Sequence, residues 1–149
     1  MKLRFETIVD GYYKDVMHRF DRKLFEALKP PLVDFEVVSF TGSKTGDHVH
    51  LKFGGLVSFE WVSEIIDHGT NAEATYFIDQ GTKLPFPLKS WHHQHIVEKI
   101  SSNQSKIVDD IDFKASNRIL TVLIYPMLYL GFKPRSKIYK RYFSSREIR

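Results

Sequence analysis

The chain contains no cysteine. That excludes disulfide staples, thiolate catalysis and any cysteine-ligated metal centre, and it is compatible with a reducing compartment. The first residues, Met1-Lys2-Leu3-Arg4-Phe5-Glu6, hold no apolar segment of the kind that directs secretion. The longest apolar stretch, Ile119–Phe132, is interrupted by Tyr125, Pro126, Tyr129 and Gly131. It is shorter than the ~20 residues a membrane-spanning helix needs. A cytoplasmic protein is the expectation. No phosphate-cradling glycine loop, no Gly-x-Ser-x-Gly and no His-Glu-x-x-His occurs. Repeats, linkers and low-complexity tracts are also missing. Acidic residues are scarce at the C-terminal end: from Lys133 to Arg149 seven Lys/Arg face one acid, Glu147. No nucleic-acid reading motif accompanies them, so a solvated basic helix face is expected. Contact of Lys133–Arg149 with a membrane surface is the weaker alternative.

What the chain does have is aromatic and apolar residues. Of 149 residues, 42% are hydrophobic and 14% aromatic, including 12 Phe. This is one domain's worth of chain, 1–149, with enough apolar side chain for a sizeable core. Such a composition suits a filled β-rich interior first, and the wall of an apolar pocket as the sharper alternative.

Periodicity divides the chain. Lys2–Val9 alternates as a half-buried strand, ended by Asp10-Gly11. In Tyr13–Leu28 the apolar residues Tyr13, Val16, Met17, Phe20, Leu24 and Leu28 recur at spacings of three and four. This predicts an amphipathic helix, or two short ones meeting at Asp21 as an N-cap, stopped by Pro30-Pro31. Period-two alternation then returns in Val33–Phe40, His48–Phe53, Val57–Ile66, Glu73–Asp79, Trp91–Ile100 and Ser105–Phe113. Short turn-forming stretches separate most of them, so neighbours should pair as antiparallel hairpins. Gly81–Lys89, with Pro85 and Pro87, reads as an irregular loop. After Phe113 the spacing becomes helical, with Ser116 or Asn117 as cap, and Pro126 either starting or kinking the helix. Lys137, Lys140 and Arg141 should face away from Ile138 and Tyr142. The fold class is therefore α+β: a curved antiparallel sheet followed by a long terminal helix.

Three segments then resemble a known family. Trp91-His92-His93-Gln94-His95 looks like a Trp-x-His-x-His strand. Ser105-Lys106-Ile107-Val108-Asp109-Asp110-Ile111-Asp112-Phe113 looks like a Thr-x-x-x-Asp-x-Val-x-Tyr strand, with Ser105 for Thr and Phe113 for Tyr. Leu130-Gly131-Phe132-Lys133-Pro134-Arg135 looks like a terminal-helix Phe-x-x-Arg. Together with the element order, they resemble the small bacterial proteins of the START/Bet v 1-like (SRPBCC, polyketide-cyclase-like) superfamily. The resemblance implies a helix-grip fold: a seven-stranded sheet wrapped around the last helix, with a short helix pair after the first strand. It also implies a ligand-binding protein more readily than an enzyme.

The expected occupant is a hydrophobic or amphipathic small molecule, lipid- or polyketide-like, held between sheet and terminal helix. Val57, Phe59, Trp61, Tyr76, Ile78 and Trp91 from the sheet, with Leu123, Met127 and Leu130 from the helix, are the candidate wall. The alternative is a cyclase-, dehydratase- or hydrolase-type enzyme. The Ser101–Gln104 turn makes two strands hairpin partners, so Asp109 could meet His93 or His95 as an acid/base pair. The bland reading of that pair is a structural cross-strand contact. His93 and His95 share a strand face, as do His48 and His50, and two such imidazoles bind metal only if a third ligand converges. No metal and no cofactor is expected. Glu60, Glu64, Asp67 and Asp79 read as solvated acids, while Arg118 and Arg135 could reach inward.

Overall fold

The computed structural model describes residues 1–30 and 33–144. The elements run β1 (Lys2–Asp10), α1 (Tyr13–His18), α2 (Arg22–Ala27), β2 (Phe35–Phe40), β3 (His48–Phe53), β4 (Phe59–Thr70), β5 (Ala74–Lys83), β6 (Leu88–Lys99), β7 (Gln104–Ala115), α3 (Arg118–Phe132) and α4 (Arg135–Tyr142). All seven strands form one antiparallel sheet in the order β1-β7-β6-β5-β4-β3-β2. The order follows from short hairpins throughout, with only β1 crossing over to pair with β7, where Phe5 lies opposite Asp109. This is the helix-grip architecture: a curved sheet closed by helices at one end and along one face.

The helical segment after β1 is two helices. Asp21 separates them, and its side chain accepts a hydrogen bond from the Leu24 N–H at 3.0 Å, satisfying one of the four donors a helix start leaves open. Gly11 makes the entry possible, because its φ of 119° belongs to the left-handed region and a Cβ there would lie 2.9 Å from Val16. Both helices bury one stripe, Tyr13 and Val16 on α1 and Leu24 with Leu28 on and just after α2. These pack with Val9, Val97, Ile107, Tyr139 and Phe143 into one end of the core.

The C-terminal segment is likewise two helices. Asn117 caps α3, accepting from the Leu120 N–H at 2.9 Å. Pro126 lies inside α3, and Pro134 precedes α4, so the single long helix expected from spacing breaks before Arg135. Among the described residues no helix is long and apolar enough to cross a membrane. α4 buries Tyr139, with Phe143 just beyond it, and turns Lys137, Lys140 and Arg141 outward. Arg146, Glu147 and Arg149 of the basic segment lie outside the described residues.

Two expectations about elements need correction. The Gly81–Lys89 loop is mostly strand: β5 continues to Lys83 and β6 begins at Leu88, so the prolines interrupt pairing only at the hairpin tip. The face of α3 also differs. Leu123, Met127 and Leu130 are about two-thirds exposed, while Thr121, Ile124 and Leu128 are buried. α3 is apolar around most of its circumference, so spacing alone cannot choose the inward stripe.

Candidate functional site

β6 lies between β5 and β7, and the register sets Asp79 opposite His93 and Asp109 opposite His95. Side chains alternate along each strand. Asp79, His93, His95 and Asp109 therefore share one sheet face, and all four are buried. The hydrogen bonds run along the diagonals. His95 Nε2 lies 2.8 Å from Asp79 Oδ2 and His93 Nε2 lies 2.9 Å from Asp109 Oδ1. The directly opposed atoms are farther apart: His93 Nδ1 is 3.5 Å from Asp79 Oδ2, and His95 Nδ1 is 3.6 Å from Asp109 Oδ1. Each imidazole thus sits between two carboxylates, and the two rings lie 3.6 Å apart, centroid to centroid.

Other elements hold the carboxylates. The indole N–H of Trp91 donates to Asp79 Oδ1 at 3.2 Å. Trp61 meets Trp91 edge to face at 4.8 Å and donates to the Ser63 hydroxyl at 3.1 Å. From α4, the Tyr139 hydroxyl donates to Asp109 Oδ1 at 3.4 Å, and the Arg135 guanidinium lies 3.9 Å from the same oxygen. The guanidinium also rests 4.1 Å over the Phe132 ring. The Phe132-x-x-Arg135 segment therefore delivers both a charge and its aromatic platform to the cluster.

Burial alone would push both carboxyl groups up, because it penalises the charged form. For Asp109 the His93 hydrogen bond and the His93 and Arg135 charges outweigh burial and hold it down at about 2. Asp79 is likewise below its ordinary value, through the His95 hydrogen bond and the neighbouring imidazoles. Burial, then the charge of His93, pushes His95 down to about 4 against the pull of Asp79. Burial, then the Asp109 charge, pushes the Tyr139 phenol up, so it stays a donor. At neutral pH His95 is uncharged and Asp79 can only accept, so the Nε2 of His95 carries the proton. Its Nδ1 is then a bare lone pair, buried and without a hydrogen-bond partner, as is Arg135 Nη1. An imidazole oriented by a carboxylate with its second nitrogen free is what a general base requires.

A cavity of about 30 Å³ adjoins this cluster. It lies beneath α2 rather than against α3. Phe20, Leu24 and Phe25 form its roof and Val49, Ile65 and Phe77 its floor, and Asp79 and His95 reach it from the cluster. The face under the C-terminal helices, where room was expected, is occupied by Trp91, Phe113, Ile124, Leu128 and Phe132.

The structure brings together His93, His95, Asp109, Trp61 and Trp91 from the sequence-predicted residues. It separates the others from the interior. Val57 precedes β4 and is largely exposed, and Phe59 stacks on Phe53 at 4.6 Å at the turn end of the β3–β4 pair. On β5 the inward set is Thr75, Phe77 and Asp79, which turns Tyr76 and Ile78 to the other face. Tyr76 there donates to Asp67 at 3.0 Å. Asp79, read as solvated, is the largest correction, since two imidazoles and an indole make its burial tolerable. Phe77, Ser63 and Tyr139 join the site as well, and it is the β5–β6 register, with Asp79 opposite His93, that turns Phe77 and Asp79 inward. Arg118 is exposed, and Arg135 reaches inward.

No protein-family model matches the sequence, and no curated protein does. Solved structures do match. The Zhui aromatase/cyclase from Streptomyces sp. R1128 superposes with a TM-score of 0.74 over 100% of this chain and 96% of that one, at 10% identity. A START superfamily protein from Mycobacterium smegmatis gives 0.60 over 93% and 96%, at 7% identity. The chain has the START/Bet v 1-like fold. Norcoclaurine synthase from Thalictrum flavum, solved with dopamine and hydroxybenzaldehyde, shares it with a TM-score of 0.63 over 93% of this chain and 85% of that one, at 14% identity. At these identities the START/Bet v 1-like likeness is one of fold.

Proposed function

We propose that the protein binds a small hydrophobic or amphipathic molecule beneath α2, its polar end against Asp79 and His95. The observation that carries this reading is the cavity itself: aromatic and aliphatic walls, with Asp79 and His95 of the buried cluster among the residues that line it. Its volume suits about one or two waters. A larger occupant enters by displacing α2, a helix of six residues fastened at its start by the Asp21 cap and by Arg22, which donates to the Val37 carbonyl at 2.7 Å. That a neighbour of this fold was solved with two small aromatic molecules supports the reading. The test is native mass spectrometry and fluorescent-probe displacement over a panel of fatty acids, lipids and polyketide-like aromatics. Uptake is expected, and Val49→Phe, which intrudes on the floor, should weaken it at least tenfold while circular dichroism is unchanged. A panel that yields no ligand, or a Val49→Phe variant that binds as well, overturns the proposal.

The two His–Asp pairs favour a second reading, in which the bound molecule undergoes a cyclase-, dehydratase- or hydrolase-type reaction. Asp109 with His93 or His95 would then be the acid/base unit, with Asp79 orienting His95. Unchanged turnover of a candidate substrate by folded Asp109→Asn would remove this reading.

A further inference from the structure

We propose that Asp79, His93 and His95 form a binding site for one divalent transition-metal ion of the zinc class, with Asp109 as the outer carboxylate that orients both imidazoles. Among the described residues, one donor atom from each of the three side chains lies within 4.8 Å of the others, and all three side chains are buried. Asp79 Oδ2 is 2.8 Å from His95 Nε2 and 3.5 Å from His93 Nδ1. Tetrahedral ligands at about 2.0–2.1 Å from a zinc ion lie about 3.3 Å from one another, so those two edges are within several tenths of an ångström of the required geometry. Two imidazoles and one carboxylate are a donor set that suits borderline ions rather than magnesium or calcium.

The rest of the cluster fits this use independently. A metal-bound histidine donates its other ring N–H to a carboxylate or carbonyl, which fixes the tautomer. His93, ligating through Nδ1, would donate from Nε2 to Asp109 Oδ1, and that contact is already 2.9 Å. His95, ligating through Nε2, must carry its proton on Nδ1. That atom is buried, unpartnered, and 3.6 Å from the same Asp109 oxygen. Ligation through Nε2 would leave the ring proton on Nδ1, where Asp109 is the carboxylate in position to accept it. The other ligand is held in a similar way, since the Trp91 indole donates to Asp79 Oδ1 and leaves Oδ2 for the ion.

Charge then indicates what the fourth position takes. A divalent ion offsets Asp79 and Asp109, and Arg135 adds one positive charge beside them. Hydroxide or an anionic oxygen of a ligand, a carboxylate or an enolate, restores neutrality in a low-dielectric site. The cavity lined by Asp79 and His95 is the route by which such a group reaches the ion.

The test uses untagged full-length protein stripped with a chelator and titrated with Co²⁺, then Zn²⁺. Expected are one Co²⁺ per chain with the visible bands of a four-coordinate N/O site, displaced by Zn²⁺, and shifts of the His93 and His95 ring nitrogens in ¹⁵N-resolved spectra of the unmutated protein. Asp79→Asn should abolish the bands, and Asp109→Asn should weaken binding about 10–100-fold. His48→Gln with His50→Gln should change nothing. Absence of saturable Co²⁺ binding by folded protein, or ring shifts confined to His48, His50 or His68, overturns the proposal even if a variant fails to fold. Organic-ligand uptake is a separate readout, so failure of the metal site leaves the binding reading where it stands.

Discussion

The chain carries the pattern His-x-His twice, at His48/His50 on β3 and at His93/His95 on β6. In sequence the two look alike. On β3 the imidazoles take the face opposite the buried Val49 and Leu51. His48 Nε2 meets the Ser39 hydroxyl at 2.8 Å, and His50 Nε2 is 3.4 Å from the Glu60 carboxylate. On β6 they take the inner face, between two buried acids, with Arg135 and Tyr139 behind. What separates the pairs is strand parity and the identity of neighbours, which decide whether water or protein surrounds the charge. The outer pair is half-buried, with His50 Nε2 covered and without a hydrogen-bond partner, while the inner pair is fully buried between charges, where each contact is strong and each missing partner costly.

The largest effect should come from breaking the inner network. Asp109 is the common acceptor for His93 and Tyr139 and the counter-charge of Arg135. Asp109→Asn takes the charge from the buried partner of His93 and leaves the half-buried Arg135 without its anion, and breaking a buried pair costs about 3–5 kcal/mol. Urea denaturation should show the midpoint falling with the m-value unchanged. A loss no larger than that of a surface ion pair would mean that the cluster is hydrated.

Protonation should show the same asymmetry. The inner His95 is pushed down to about 4 from an ordinary 6.5, by burial first and by His93 second. Between those two pH values the unfolded chain binds a proton on this ring that the fold refuses. Stability therefore falls as pH drops from about 6.5 towards 4, by on the order of 2–3 kcal/mol. Asp109 is held down at about 2 from 3.8. Its share is present above the unfolded value and is lost as pH falls through the folded one. Unfolding of chelator-treated protein should thus weaken in two stages. His95→Gln should flatten the upper stage. A profile flat from pH 7 to 4 would contradict the burial of His95.

How far the site was legible follows from the same parity. β6 and β7 alternate cleanly, and a turn of four residues joins them, so the meeting of Asp109 with His93 and His95 could be read from the sequence, as could the order of elements. β5 could not be read so. Thr75, Phe77 and Asp79 on one face and Ala74, Tyr76 and Ile78 on the other are mixed sets, and the residue types argue for the wrong one. An acid is placed inward only when its partners are known, and those partners arrive through the β5–β6 register. α3 failed for a related reason. Ile119, Val122, Leu123, Met127 and Leu130 are all exposed, so an apolar residue there does not report burial. The position of the cavity depends on how Phe20, Phe25 and Phe77 interdigitate, which no periodicity encodes.

The smallest effect belongs to the outer pair. Glu60 lies beside His50 and accepts a hydrogen bond from Lys83. That hydrogen bond, then the Lys83 charge, holds the carboxyl below its ordinary value. Asp109 is held down by its partners in a like manner, yet Glu60 is only partly covered, and ion pairs open to water contribute little. Glu60→Gln should leave the urea midpoint and the acid profile where they are, whereas Asp79→Asn, its counterpart beside the inner histidines, should move both. Equal losses from the two substitutions would show that the partner carboxylate matters and its burial does not, and the distinction drawn between the two histidine pairs would fail.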